Sequence, residues 1–139
     1  MDRPFTLADV SQMTRITART LRKYVASGAL AGTKTDGKWR FAAEAVGHFL
    51  NRPEIKRLAA QHRRALADDF LNNPVKFAPD MLCVLDMPGA PETFLERLLA
   101  ACEGVEMTYS RDAGTDMTRV TLVGSPAAVR LVLRYILSN

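Results

Sequence analysis

Apolar residues recur along the chain at two spacings, every three or four residues in some stretches and every second residue in others, and the order of those stretches predicts the order of helices and strands. Leu7, Val10 and Met13 lay one apolar stripe along a short helix from about residue 7 to residue 13. Thr6 followed three residues later by Asp9 has the spacing of a capping box, which gives partners to backbone amides that a helix start leaves open. Thr14-Arg15-Ile16 makes a turn, Thr17 is suited to cap a second helix, and Gly28 supplies the left-handed position that ends it. Ala18, Leu21 and Val25 fall on one side of the second helix and pack it on the first, which is helix-turn-helix spacing. Asp36-Gly37 then separates two short extended runs and predicts a hairpin between Ala29 and Phe41, with Trp39 and Phe41 toward the core and Arg40 away from it. A helix over 42–50, with Ala43, Val46, Phe49 and Leu50 inward, closes this unit.

Pro53 is placed to open a further helix, and Ile55, Leu58, Ala59, His62, Leu66 and Phe70 form its stripe. At about seventeen residues such a helix is some 25 Å long. Its alanines and few heptads leave two readings open, a helix that pairs subunits and an ordinary packing helix. Asn72-Asn73-Pro74 ends it. Beyond, Met81 to Leu85 is an apolar run that predicts a buried strand. Pro91 can open a helix with Phe94, Leu95, Leu98, Leu99 and Cys102 inward, its Glu92, Glu96 and Glu103 forming a solvated face. Val105, Met107 and Tyr109 alternate with polar residues, and Met117 to Val123 returns as a second strand of a hairpin. Ser125-Pro126 caps a last helix, with Val129, Val132, Leu133 and Ile136 inward and Arg130 and Arg134 outward.

The fold class is therefore α+β: a winged helix-turn-helix unit at 1–51, a connecting helix at 52–73 and a small α+β sandwich of order βαββα at 74–139. Val75-Lys76-Phe77 is a candidate fourth strand. Both rear helices on one sheet face leave an edge and a face uncovered, which a second subunit would cover.

Charge separates the two ends of the chain. Residues 1–72 carry 13 Lys+Arg against 7 Asp+Glu, net +6, and residues 73–139 carry 6 against 8, net −2. A polyanion partner is expected for the front only. Cys83 and Cys102 lie in apolar surroundings without CxxC spacing and read as buried thiols, and His48 and His62 stand fourteen residues apart without companion ligands, so no metal or cofactor is expected. The rear carries no histidine, nucleophile elbow or phosphate loop, which argues against an enzyme. The start lacks a signal-type apolar run and no stretch is long enough to span a bilayer, so a cytoplasmic protein without membrane partners is expected.

The second helix concentrates the positive charge. Opposite its apolar side lie Arg19 and Lys23, with Thr20 and Arg22 on the flanks, and no acidic residue occurs from Ala18 to Leu30. A merely solvated helix face usually mixes signs. The hairpin adds Lys34, Lys38 and Arg40.

The order T-x-x-T-L-R-x-Y (Thr17 to Tyr24), S-G-x-L (Ser27 to Leu30), G-K-W-R-F (Gly37 to Phe41) and E-A-V-x-x-F-L (Glu44 to Leu50) resembles the winged helix-turn-helix of the MerR and phage-excisionase superfamily. The resemblance covers roughly Phe5 to Leu50. It implies that the second helix enters the major groove of double-stranded DNA, Thr17, Arg19 and Thr20 meeting base edges or nearby phosphates, while Arg22, Lys23 and Tyr24 clamp the backbone and Lys34, Lys38 and Arg40 hold it from the wing. Arg19 is the base reader this implies, since arginine grips guanine through two hydrogen bonds. The family's usual glycine in the turn is replaced here by Arg15 or a neighbour. The function implied is a sequence-specific transcriptional regulator acting as a homodimer, with a rear unit that dimerises or takes an effector or protein partner. An excisionase-type DNA-bending factor and a protein-interaction module using the winged helix as scaffold are the alternatives.

Overall fold

A computed structural model describes residues 4–91 and 93–138. Among them it is a mixed helix and sheet structure with six helices and two three-stranded antiparallel sheets. The front begins with β1 (Phe5–Thr6) and α1 (Leu7–Thr14), and the capping box closes as the spacing predicts: Asp9 N–H donates to Thr6 Oγ1 at 3.0 Å and Thr6 N–H to Asp9 Oδ2 at 2.9 Å. α2 (Ala18–Ser27), β2 (Thr33–Thr35), β3 (Lys38–Phe41) and α3 (Ala43–Leu50) follow. β1 is too short for apolar spacing to announce it, yet it pairs with β3, Phe5 opposite Phe41, so the wing is a sheet of order β1-β3-β2. Phe5, Val10, Met13, Leu21, Leu30, Phe41, Val46 and Phe49 fill the core beneath it. Ala43, expected inward, is exposed.

The connecting helix α4 (Pro53–Asn72) has 20 residues and carries Pro53 in its first turn. Its buried side chains, Ile55 and Leu66, stand three turns apart, and the helix packs on α3 and on the rear sheet.

The rear half comprises β4 (Met81–Pro88), α5 (Phe94–Ala101), β5 (Glu106–Asp112), β6 (Met117–Gly124) and α6 (Pro126–Leu137). The βαββα order is as expected. Strand order is β4-β6-β5, so β6 is central and β4 lies at an edge. Met81 to Leu85 is therefore not a buried strand. Met81, Cys83 and Leu85 turn toward the core while Val84, on the other face, is 54% exposed. Residues 75–77 form no strand, and Phe77 is 99% exposed. α5 starts at Phe94 rather than at Pro91, and Glu92 lies outside the described residues. Cys102 is buried, its thiol pushed up to about 11 by desolvation, whereas Cys83 is only half-buried; both are free thiols.

The two halves share one continuous core. α1, α3 and α4 all pack against β5, and α4 also reaches β6. Helices α5 and α6 pack on each other and on the face bearing Met107, Val120 and Leu122. Lys56 of α4 meets Asp112 at 2.8 Å from the opposite face. Part of the face that seemed to require a second subunit is thus covered by α4 of the same chain.

Candidate nucleic-acid interface

The turn between α1 and α2 is held by side chains. Thr14 Oγ1 donates to the Val10 carbonyl at 2.7 Å and accepts from Ile16 N–H at 3.1 Å, and Ser11 Oγ donates to the Ile16 carbonyl at 2.6 Å. Arg15 takes the left-handed conformation, φ 60°, that a glycine would adopt without cost, and its N–H returns to the Ser11 carbonyl at 2.8 Å. Its guanidinium lies 3.7 Å from Glu106 on β5. From α4, His62 Nδ1 sits 2.7 Å from the Thr14 carbonyl, which makes that nitrogen the protonated donor. Sequence spacing placed His62 in an apolar stripe, and a polar residue within that stripe was the only signal of this grip on α1.

α2 is fixed at both ends. Thr17 Oγ1 accepts from Thr20 N–H at 3.2 Å and donates to Thr20 Oγ1 at 3.1 Å. Gly28, φ 85°, turns the chain so that Leu30 N–H reaches back to the Tyr24 carbonyl at 3.2 Å, with the Leu30 side chain buried beneath. Leu21 is wholly buried, and Arg19, Arg22 and Lys23 are exposed. The helix thus divides into an apolar and a cationic side. Thr17 is exposed and Thr20 half-buried beside it.

Tyr24 is more committed to packing than its place in a basic run suggests. Its ring meets Phe49 edge-on, centroids 5.3 Å apart. In the wing, Asp36 (φ 52°) and Gly37 (φ 76°) form the tight turn, and Lys34 and Lys38 are exposed. Lys34 Nζ lies 5.9 Å from the Trp39 ring centroid, while Trp39 stacks on Phe41 at 6.4 Å, so this tryptophan is built into the hairpin. Arg40 is half-buried and donates to the Trp39 carbonyl at 3.1 Å. A Cβ on Gly32 would come within 2.5 Å of the Phe41 ring, so only glycine lets the chain enter the hairpin this closely.

Among the described residues, Arg19, Arg22, Lys23, Lys34, Lys38 and Arg40 form no ion pair. Several cations elsewhere are matched, Arg119 forking onto Asp86 at 2.6 and 2.8 Å, Arg111 meeting Asp116 at 2.6 Å and Arg52 meeting Glu54 at 2.6 Å, whereas Arg57, Arg63 and Arg64 on α4 and Arg130 and Arg134 on α6 also form no ion pair among the described residues. The Arg119 fork holds the Asp86 carboxyl below its ordinary value and raises the guanidinium. The front surface is therefore a cationic helix face beside a cationic hairpin, with Asp36 at the hairpin tip as the one carboxylate from Ala18 to Phe41.

Among the described residues, no helix is long and apolar enough to cross a membrane. Residues 5–54 match the family model described as a helix-turn-helix domain, from β1 through the wing and α3 to the first turn of α4. No curated protein and no solved structure matches the chain.

Proposed function

We propose that the helix-turn-helix domain of residues 5–54 reads duplex DNA, and that the chain is a sequence-specific transcriptional regulator working as a pair. The unpaired cations of α2 and the wing carry this reading. Arg19 stands in the first turn of α2, where a helix presented end-on to the major groove places its base-reading residues. Arg22 and Lys23, with Lys38 from the wing, supply phosphate contacts, which position the protein without selecting sequence. Thr17 and Thr20 border the same helix end, and Tyr24, Lys34 and Arg40 support the surface while packed on their neighbours.

One such unit per chain makes a small footprint, and pairing doubles it. The segment from the end of α4 into β4 supports pairing there: Leu71, Val75, Phe77 and Val84 are all more than half exposed, and β4 keeps one unpaired edge. Phe77→Asp should convert a dimer to a monomer in sedimentation analysis.

Duplex affinity measured by fluorescence anisotropy across salt concentrations tests the DNA reading. Each neutralised phosphate contributes about −0.9 to the slope of log affinity against log salt, so Arg22→Ala with Lys23→Ala should flatten it by about 1.8 per subunit, about 3.6 for the bound pair. An unchanged slope would remove these residues from the interface. Selection of bound genomic fragments should return symmetric half-sites if the pair is real.

A further inference from the structure

A cavity of about 510 Å³ opens at the seam between the helix-turn-helix half and the rear sheet. Small-molecule sites commonly enclose about 300–1,000 Å³. Val46 and Leu50 of α3 form one wall and Leu95 of α5 another, while Tyr109 of β5 and Thr118 of β6 supply the polar groups. All five side chains are buried, Thr118 to 1% exposure. Thr118 Oγ1 makes no well-aligned hydrogen bond among the described residues, its polar neighbour being the Tyr109 phenol. A buried hydroxyl in that condition is destabilising, and in folded proteins such groups nearly always find a partner.

The five buried side chains are uncharged, and the one half-buried carboxylate in the lining is Glu96 of α5. Burial raises the Tyr109 phenol above its ordinary range, with Arg111 and Thr118 pulling partly the other way, so it stays protonated at physiological pH. Arg111 also borders the space, but its guanidinium is held by Asp116 at 2.6 Å. Glu44 and His48 border it from exposed positions on α3, at the rim rather than the floor. The α3 wall is left low by Gly47, where an added Cβ would meet nothing within 4 Å. A glycine inside a helix is unfavourable for the helix itself, so this position gives room at the expense of helix propensity.

We propose that this cavity binds a small uncharged amphipathic molecule, an apolar ring or branched chain bearing one hydroxyl, carbonyl or amide, with its polar head on Thr118 Oγ1 and its body between Val46, Leu50 and Leu95. The walls come from both halves of the chain, so the bound molecule ties α3 to the sheet. An effect of that molecule on DNA affinity rests on the DNA reading above, whereas its binding does not.

The test is an amide NMR titration of the full chain, without DNA, using three probes that share one apolar body: 1-adamantanol, 1-adamantanecarboxylate and 1-adamantylamine. The alcohol should give saturable shifts on α3, β5 and β6 and bind tighter than either charged probe. Thr118→Val, which keeps the shape and removes the hydroxyl, should weaken the alcohol about fivefold. Thr121→Val removes another buried, unpartnered hydroxyl that borders neither this cavity nor the shallower one beside α4, and should leave affinity unchanged. Gly47→Leu, placed where the backbone has space, should abolish the shifts while the rest of the spectrum stays native. Absence of saturable shifts with the alcohol, equal affinity in Thr118→Val, or tighter binding of a charged probe would each overturn the proposal. Because no DNA is present, loss of the DNA reading would leave this result standing.

Discussion

Arginine and lysine are used in opposite ways on the rear sheet and on the surface formed by α2 and the wing. On the rear sheet Arg119 lies directly across from Asp86 in the strand register and grips it with two hydrogen bonds, and Arg111 is closed onto Asp116. On α2 and the wing, Arg19, Arg22, Lys23 and Lys38 are exposed and form no ion pair among the described residues. A paired cation has already spent its charge on its neighbour. An unpaired cluster repels itself slightly and keeps its field for a partner, so the α2 and wing surface is better suited to a polyanion than the rear sheet is.

Charge reversal breaks the comparison most severely. Arg22→Glu with Lys23→Glu should lower duplex affinity by about 100-fold or more at moderate salt, since each subunit loses two phosphate contacts and gains two repulsions. Circular dichroism and thermal unfolding should remain close to native, because neither side chain is buried. Arg119→Glu should do the reverse, disturbing the sheet through its clash with Asp86 while leaving duplex affinity within about twofold. Equal losses of DNA binding in the two variants would show that net charge, not the α2 surface, governs association.

The joint between the two regions comes next. His62→Leu removes the donor that grips the Thr14 carbonyl from α4 and should cost about 1–2 kcal/mol in urea unfolding, the range for leaving a part-buried acceptor unmet. A loss near zero would mean that the carbonyl finds water and that α1 is held by apolar contact alone.

How much of this was legible in the sequence depended on how local the cause was. Helices α1, α2 and α6 announce themselves through period and caps, because Thr6, Thr17 and Ser125 act on amides three residues away. Asp36-Gly37 announces the wing for the same reason. The outward direction of Arg19, Arg22 and Lys23 follows from helical geometry once Leu21 is placed inside. What the sequence withheld is non-local. The apolar run Met81 to Leu85 looks like a central strand until the register puts β6 between β4 and β5. Tyr24 sits at the border of the basic face, and only the position of Phe49 decides that its ring packs inward. The docking of α1, α3 and α4 on β5, and with it the cavity at Thr118, depends on contacts between residues far apart in the chain that no periodicity encodes.

A smaller effect is expected at the turn. Arg15 pays for its left-handed backbone and recovers little from a partly exposed ion pair with Glu106 at 3.7 Å. Arg15→Gly should therefore raise stability by about 0.5 kcal/mol, the relief of the left-handed strain being partly offset by the greater freedom of glycine in the unfolded chain. A decrease instead would show that the Glu106 contact, and not the backbone, governs this joint.

The smallest effect tests the paired side of the comparison. Hydrogen bonds from Lys56 and then Thr115 hold the Asp112 carboxyl at about 2, against about 3.9 for an aspartate in an unfolded chain. A depressed carboxyl stabilises the fold above its unfolded value, so this contribution is complete above about pH 4 and disappears as pH falls toward 2. Both side chains are well exposed, which keeps the contribution small and sensitive to salt. Carbon-detected NMR titration of Asp112 should give a midpoint near 2, moving up toward the ordinary value in Lys56→Met. Asp112→Asn should lower the urea midpoint slightly at pH 6, and that difference should vanish between pH 4 and pH 2. A native midpoint near 4 would mean that Lys56 does not hold Asp112 in solution, and that α4 rests on β5 and β6 without this ionic tie.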